Sequence, residues 1–232
     1  MNIRGIFKTS LIDFPGRISA VIFTGGCNLR CRYCHNPELA RDSSELDLLQ
    51  NEEVLSFLRR RKGLIDGVTL TGGEPTLRSD IDAFLEQVRD IPLDIKLDTN
   101  GLSPAVLERL ISKKLVDYVA IDIKTSPEKY HLLTGRSVDF SLIRRSIDII
   151  QESGVDYEVR TTCVPEFVTG EDLEKIHLSL GYVKKYCLQQ FVPTVPLIDE
   201  SLRGIRPYSP AELYRFCDYV ETFTRTCEVR GV

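Results

Sequence analysis

Three cysteines in one short stretch are the chemically most distinctive feature of this sequence. Cys27, Cys31 and Cys34 follow the pattern C-x3-C-x2-C in a chain of 232 residues that has seven cysteines. A short loop brings three thiolates to one point at little cost in chain entropy. Thiolates are the preferred ligands of zinc and of iron–sulfur clusters. The spacing therefore predicts a metal centre held by the loop of residues 25–37.

The number of ligands in this loop separates two kinds of metal centre. A structural zinc site takes four protein ligands, and His35 would complete a Cys3His set. A 4Fe–4S cluster held by the three cysteines alone would leave one iron open to a ligand that is not protein. The zinc interpretation gives no role to the polar motifs elsewhere in the chain, which favours the cluster. The other cysteines are too scattered for a second cluster: Cys163, Cys187, Cys217 and Cys227.

Further polar motifs occur where apolar runs of the sequence end. Gly72-Gly73-Glu74-Pro75 follows one run, and Asp98-Thr99-Asn100-Gly101 follows the next. Asp122, Lys124 and Arg160 interrupt two later runs. Each has an ordinary structural explanation, namely a βα turn, an Asx turn before a helix, or a salt bridge. In parallel α/β folds, however, chemistry gathers at the carboxyl ends of strands, so these residues are predicted to meet the cysteine loop in one site.

The elements that would position these residues alternate between strand and helix. Apolar, β-branched runs predict six strands, and amphipathic stretches predict six helices. The strands are predicted at 18–24, 68–71, 93–99, 118–123, 157–164 and 188–192, and the helices at 46–61, 79–88, 103–111, 142–152, 172–185 and 209–223. Six β-then-α units imply a parallel sheet with right-handed crossovers. Periodicity alone does not decide between a doubly wound sheet and an open barrel.

Composition excludes several classes of function. A net charge of −4 and a pI near 5.5 provide no basic field for nucleic acid or an anionic membrane. No apolar run approaches the length of a membrane span, and residues 1–5 lack the apolar core of a signal peptide. The cysteines show no even disulfide framework, which favours a reducing compartment. We therefore expect one cytoplasmic domain over residues 1–232, with no nucleic-acid or membrane partner.

Longer stretches of the sequence resemble a known family. The cysteine pattern, with Tyr33 just before its third cysteine, is similar to the cluster loop of radical S-adenosylmethionine (radical SAM) enzymes. The segment SLIDFPG at residues 10–16, followed by Gly-Cys-Asn-Leu and Tyr-Cys-His-Asn-Pro, resembles the activating enzymes of glycyl radical enzymes. Residues 8–39 look most like the subgroup that activates anaerobic ribonucleoside-triphosphate reductases. The resemblance covers residues 6–165 and implies a partial (β/α)6 TIM-type barrel, with residues 190–232 closing the barrel edge.

The resemblance also implies roles for individual residues. Cys27, Cys31 and Cys34 would hold three irons of one 4Fe–4S cluster, and S-adenosylmethionine would chelate the fourth. The remaining residues match positions around S-adenosylmethionine in this family. Tyr33 would lie at the adenine, and the methionyl amino group would be held by Gly72, Gly73 and Glu74. The other matching residues, near the bound S-adenosylmethionine, are Asp98, Asn100, Asp122, Lys124 and Arg160. A monovalent cation near Asp98 and Asp122 would bridge these acids to the methionyl carboxylate.

The implied reaction is the activation of another enzyme. A flavodoxin- or ferredoxin-like donor would reduce the cluster, and cleavage of S-adenosylmethionine would give a 5′-deoxyadenosyl radical that abstracts hydrogen from a glycine of the partner. Anaerobic ribonucleoside-triphosphate reductase is the first candidate for that partner, and pyruvate formate-lyase is the second. Two alternatives stay open. One is radical chemistry on a small molecule or another peptide, and the other is a non-enzymatic metal-binding module.

Overall fold

A single sheet of eight strands runs through the protein, and the computed structural model describes all of residues 1–232. The strands are β1 Ile3–Ser10, β2 Ser19–Thr24, β3 Gly67–Gly72, β4 Asp94–Thr99, β5 Tyr118–Asp122, β6 Asp156–Cys163, β7 Val183–Gln190 and β8 Thr224–Arg230. They lie side by side in chain order. β1 is antiparallel to β2, and every later pair is parallel. β1 and β8 do not pair with each other, so the barrel is open between these edges.

Eight helices connect and cover the strands. They are α1 Pro37–Arg41, α2 Asn51–Arg60, α3 Ile81–Arg89, α4 Pro104–Ser112, α5 Tyr130–Thr134, α6 Phe140–Ser153, α7 Gly170–Leu180 and α8 Pro210–Val220. Short 3-10 helices occupy three loops, at Pro75–Leu77, Pro127–Lys129 and Glu200–Gly204. The longer helices bury one apolar stripe, as α3 does with Phe84 and Leu85. No helix is long and apolar enough to cross a membrane.

The structure confirms the α/β class and the partial barrel. The six predicted strands correspond to β2–β7, and the six predicted helices correspond to α2, α3, α4, α6, α7 and α8. Inner strands of a parallel sheet are buried on both faces and therefore read as continuous apolar runs. Ser19–Thr24 has this character, with all but one of its residues buried. The inner strands could for that reason be located from the sequence.

The two edge strands were not predicted. β1 and β8 mix charged and polar residues with apolar ones, and most of their residues are exposed or half-buried. Edge strands of natural sheets commonly carry such residues, because only one side of the strand is paired and covered. The helix predicted from residue 46 begins at Asn51, and Leu49 forms an isolated antiparallel bridge with Ile3 of β1 instead.

The helix predicted over 172–185 ends earlier than expected. It stops at Leu180, where Gly181 has a φ of 70°. Glycine adopts this left-handed backbone without steric cost and commonly terminates helices. Lys184 and Lys185 therefore lie on β7 and not at a helix end. Lys185 turns toward the buried carboxylate of Glu158, at 3.6 Å.

Two serines that precede a helix-starting proline differ in how they cap the helix. The Ser209 hydroxyl accepts a hydrogen bond from Glu212 N, and the Glu212 carboxylate accepts one from Ser209 N, at 2.8 Å. Ser103 stands before Pro104 in the same way but makes no side-chain cap bond. We expect Ser209→Ala to lower the free energy of unfolding by about 1 kcal/mol, and Ser103→Ala to lower it by less than about 0.5 kcal/mol. Urea denaturation measures both, and equal losses would contradict this difference.

Candidate active site

The carboxyl ends of the parallel strands surround one polar cavity of about 290 Å³. The cysteine loop that follows β2 forms one wall, and the turns after β3, β4 and β5 form the others. The residues predicted for the site and found in its lining are Cys27, Cys31, Tyr33, Cys34, Gly72, Gly73, Glu74, Asp98, Asn100, Asp122 and Lys124. Eleven of the twelve predicted site residues therefore line one cavity, and Arg160 is the exception.

The three cysteines present free thiols to this cavity. The backbone N–H of Leu29 donates to Cys27 Sγ at 3.4 Å. Burial raises the pKa of the Cys27 thiol and raises that of Cys31 to about 12, an effect that the nearby Lys124 charge opposes. The structure contains no group of three or more Cys, His, Asp or Glu side chains that could hold a single metal ion. Three free thiols on one cavity are the donor set that an iron–sulfur cluster uses.

The glycine turn after β3 packs directly on the cysteine loop. Gly73 N donates to Thr24 O at 2.7 Å, and Glu74 N donates to Gly26 O at 2.8 Å. A Cβ atom at Gly73 would lie 2.1 Å from Gly26 O, so any side chain there would collide with backbone. Gly72 has a φ of +117°, in the region that favours glycine. Both glycines are therefore needed for the turn to reach the loop.

Glu74 lines the cavity, but its carboxylate is held by the chain. Oε1 accepts hydrogen bonds from Thr76 N at 3.1 Å, Thr76 Oγ1 at 2.6 Å and Thr99 Oγ1 at 2.8 Å. Oε2 accepts one from Asn100 N at 2.7 Å. Burial raises the pKa of this carboxyl above its ordinary value in spite of these donors. Glu74 thus ties the turn after β3 to the turn after β4, and its contact with a methionyl amino group stays a prediction.

Asn100 connects the turn after β4 to the cysteine loop. Its Nδ2 donates to Asn28 Oδ1 at 2.7 Å, and its own Oδ1 accepts from Leu102 N at 3.1 Å. Asn28 directly follows Cys27, so this bond fixes the loop beside one of its thiols. Asn28 was not among the predicted site residues, although its place between two cysteines marks it in the sequence.

Charged side chains from three strands form one ion network beside the cavity. Arg160 NH2 lies 3.2 Å from Asp98 Oδ2, and Arg160 Nε lies 2.8 Å from Asp122 Oδ1. Lys124 Nζ lies 3.2 Å from Asp122 Oδ2, and Lys96 contacts Asp98 Oδ1. Burial raises the pKa of Asp122, but Arg160 and Lys124 outweigh it and hold that pKa well below its ordinary value. The salt bridge considered for Asp122 and Lys124 is therefore present and faces the cavity.

Arg160 is placed differently from the other predicted site residues. It does not line the cysteine cavity and reaches it only through Asp98 and Asp122. It lines a second cavity of about 650 Å³, together with Lys185 and Arg230. The sequence marked Arg160 as a lone basic residue in a strand. It could not show that the carboxylates of Asp98 and Asp122 separate Arg160 from the cysteine cavity.

Several cavity residues were missed from the sequence. Thr162, Gln189 and Gln190 line the cavity from the ends of β6 and β7. They also lie at the carboxyl ends of strands, where site residues are expected. They belong to no recognisable motif, so the sequence did not distinguish them from other polar residues. Lys96, which does not line the cavity, was missed as a member of the ion network. It lies inside β4 between apolar residues, and only its alternation with Asp98 hinted at a shared face.

Residues 21–180 match the family model of the Radical SAM superfamily. The chain belongs to the radical SAM superfamily. This radical SAM chain is 36% identical over 199 residues to a Methanocaldococcus jannaschii protein named as a glycyl-radical enzyme activating enzyme, covering 82% of this chain and 80% of the relative. It is 30% identical over 224 residues to the pyruvate formate-lyase-activating enzyme of Clostridium pasteurianum, covering 91% and 87%. It is 29% identical to the GTP 3′,8-cyclase of Aquifex aeolicus, covering 78% and 59%.

A solved structure of Streptococcus suis SuiB bound to precursor peptide SuiA shares the fold, with a TM-score of 0.69 at 18% identity. The match covers 91% of this chain and 48% of SuiB, so the radical SAM chain described here spans about half of that protein. Membership in the superfamily makes this protein an enzyme of radical chemistry and implies a 4Fe–4S cluster and S-adenosylmethionine. The three free thiols beside a polar cavity fit both groups.

Proposed function

We propose that this enzyme activates a glycyl radical enzyme, with anaerobic ribonucleoside-triphosphate reductase as the partner. The observation that carries the proposal is the single cavity that brings the cysteine loop, the glycine turn and the ion network together. Similarity over most of both chains to proteins named as activating enzymes supports it. When bound at Cys27, Cys31 and Cys34, a reduced cluster would supply the one-electron reduction of S-adenosylmethionine that this radical chemistry on a glycine α-carbon needs.

The residues of this chain would position the cofactor and exclude solvent. Cys27, Cys31 and Cys34 would hold the cluster at the wall of the cavity. Lys124 faces the same cavity as a cation and would bind the methionyl carboxylate. Tyr33, only 7% exposed, would form an apolar wall for the adenine. Positioning and water exclusion are what a protein contributes when the hard chemistry belongs to a cofactor.

The open side of the barrel suits a peptide loop as substrate. The sheet does not close between β1 and β8, and the second cavity of about 650 Å³ lies beside the last strands. Leu11 and Ile12, which follow β1, also line that cavity and are 74% and 81% exposed. Exposed apolar residues beside an opening are typical of surfaces that bind another chain.

We propose a flavodoxin- or ferredoxin-like protein as the electron donor that would reduce the cluster.

Pyruvate formate-lyase is the second candidate partner, because one relative bears the name of its activating enzyme. The two partners are distinguished by incubating reduced enzyme and S-adenosylmethionine with each partner, taken from the same genome, under anaerobic conditions. Electron paramagnetic resonance then detects a glycyl radical. We expect the radical on the reductase. A radical on pyruvate formate-lyase alone would assign the second partner, and cleavage of S-adenosylmethionine with no radical on either would favour a different substrate.

A further inference from the structure

Lys96 is a fully buried cation in the middle of strand β4, with 0% of its surface exposed. Its ammonium contacts Asp98 Oδ1, two residues further along the same face of the strand. Lysine is almost never fully buried unless it is paired, because desolvating the charge is costly. Burial lowers the pKa of Lys96 from its ordinary value, and the Asp98 carboxylate acts in the opposite direction. None of the site motifs in the sequence accounts for this lysine.

All four carboxylate oxygens of Asp98 and Asp122 face a cation of the chain. Asp98 Oδ1 contacts Lys96, and Asp98 Oδ2 lies 3.2 Å from Arg160. Asp122 Oδ1 lies 2.8 Å from Arg160, and Asp122 Oδ2 lies 3.2 Å from Lys124. A hard metal cation needs several oxygen ligands. An ion placed between Asp98 and Asp122 would have to share oxygens with these side chains and lie close to their positive charges. The residues do not fit the monovalent cation that the resemblance implied.

The charges of the network leave one positive charge in excess. Lys96, Lys124 and Arg160 are three cations, and Asp98 and Asp122 are two carboxylates. One carboxylate ligand would complete the balance. Without Lys96 the remaining four charges cancel, and a bound carboxylate would need an added cation.

The glutamate whose charge also acts on Lys96 does not remove this excess charge. Glu158 faces Lys96 from β6 but accepts hydrogen bonds from Arg230 NH1 at 2.9 Å and from Arg230 NH2 at 2.7 Å. Glu158 is therefore paired with Arg230, which lines the second cavity. The positive charge of Lys96 is therefore directed to Asp98.

We propose that Lys96 takes the place of a monovalent metal ion at Asp98 and Asp122, so that this chain binds S-adenosylmethionine without Na⁺ or K⁺. The proposal rests on the use of S-adenosylmethionine in the proposed function. Lys96 acts through Asp98 and is a positioning residue. Its role is to keep the network cationic where the methionyl carboxylate would bind.

Binding of S-adenosylmethionine to the reconstituted enzyme, measured by equilibrium dialysis, tests this proposal. The buffers contain choline chloride, NaCl or KCl at equal ionic strength. We expect the wild-type affinity to agree within about twofold in the three salts, because the compensating charge belongs to the chain. Binding about tenfold weaker in choline than in KCl or NaCl would overturn the proposal without any variant. No binding in any salt would refute the proposed function and this inference with it.

Lys96→Met replaces the ammonium group of Lys96 by an uncharged side chain of similar length. We expect its affinity in choline to fall about 10- to 100-fold, and K⁺ or Na⁺ to restore it. An unchanged affinity in choline, or a loss that neither ion reverses, would overturn the proposal. Lys184→Met, a lysine on β7 that contacts Asp156 and lines neither cavity, is the matched control and should bind like wild type in every salt. Lys96→Arg keeps the charge and should keep binding independent of the salt.

Discussion

Gly73→Ala is expected to abolish binding of S-adenosylmethionine and to lower the free energy of unfolding by about 3 kcal/mol. The new Cβ would lie 2.1 Å from Gly26 O, and neither backbone segment can move without breaking the hydrogen bonds that join the glycine turn to the cysteine loop. The turn would have to leave the loop, and the cavity would lose one wall. Equilibrium dialysis measures the affinity, and urea denaturation measures the stability.

Gly204→Ala is the matched control for this substitution. Gly204 ends the 3-10 helix Glu200–Gly204, and a Cβ atom there would meet nothing within 4 Å. The same chemical change is therefore expected to alter stability by less than about 0.5 kcal/mol and to leave binding unchanged. If Gly73→Ala bound S-adenosylmethionine as well as Gly204→Ala does, the close approach of the two loops would not matter for the site.

Cys34→Ala is expected to reduce formation of 5′-deoxyadenosine by at least about a thousandfold. A cluster held by three thiolates loses a third of its protein ligands when one is removed, and the loop offers no replacement thiol within the cavity. Iron content and visible absorbance after anaerobic reconstitution report the cluster itself. Product analysis by mass spectrometry reports the reaction.

Cys227→Ala is the control for the loss of a thiol. Cys34 and Cys227 are both half-buried free cysteines, but Cys227 lies on the edge strand β8, outside the cysteine cavity. It should keep the iron content and the activity of the wild type. If both variants lost iron equally, a cluster held by the loop of residues 25–37 alone would be contradicted.

The motifs at the strand ends could be predicted because their signals are local. Three closely spaced cysteines, two adjacent glycines and acids that interrupt apolar runs are visible in the sequence, and the parallel fold brings strand ends to one edge. Eleven of the twelve predicted site residues line one cavity, and their roles toward a cofactor stay predictions. The inner strands were located for a similar reason, since burial on both faces leaves a continuous apolar run.

What could not be predicted depends on contacts between distant segments. The hydrogen bonds of Glu74 to Thr99 and Asn100 cross 25 and 26 residues of chain. The position of Arg160 behind two carboxylates depends on the pairing of β6 with β5. Lys96 looked like any lysine in a strand until its partner and its burial were known. Sequence patterns report which face a residue occupies, and they do not report what faces it.

Transfer of hydrogen from a partner glycine to 5′-deoxyadenosine tests the proposed function most directly. Anaerobically reconstituted and reduced enzyme is mixed with S-adenosylmethionine and with the partner reductase, produced with α-deuterated glycine. We predict 5′-deoxyadenosine that carries deuterium, together with a glycyl radical signal, and neither from the variant in which Cys27, Cys31 and Cys34 are replaced by alanine. Undeuterated product without a radical on the partner, or no product from enzyme that holds a complete cluster, would contradict activation of a glycyl radical enzyme.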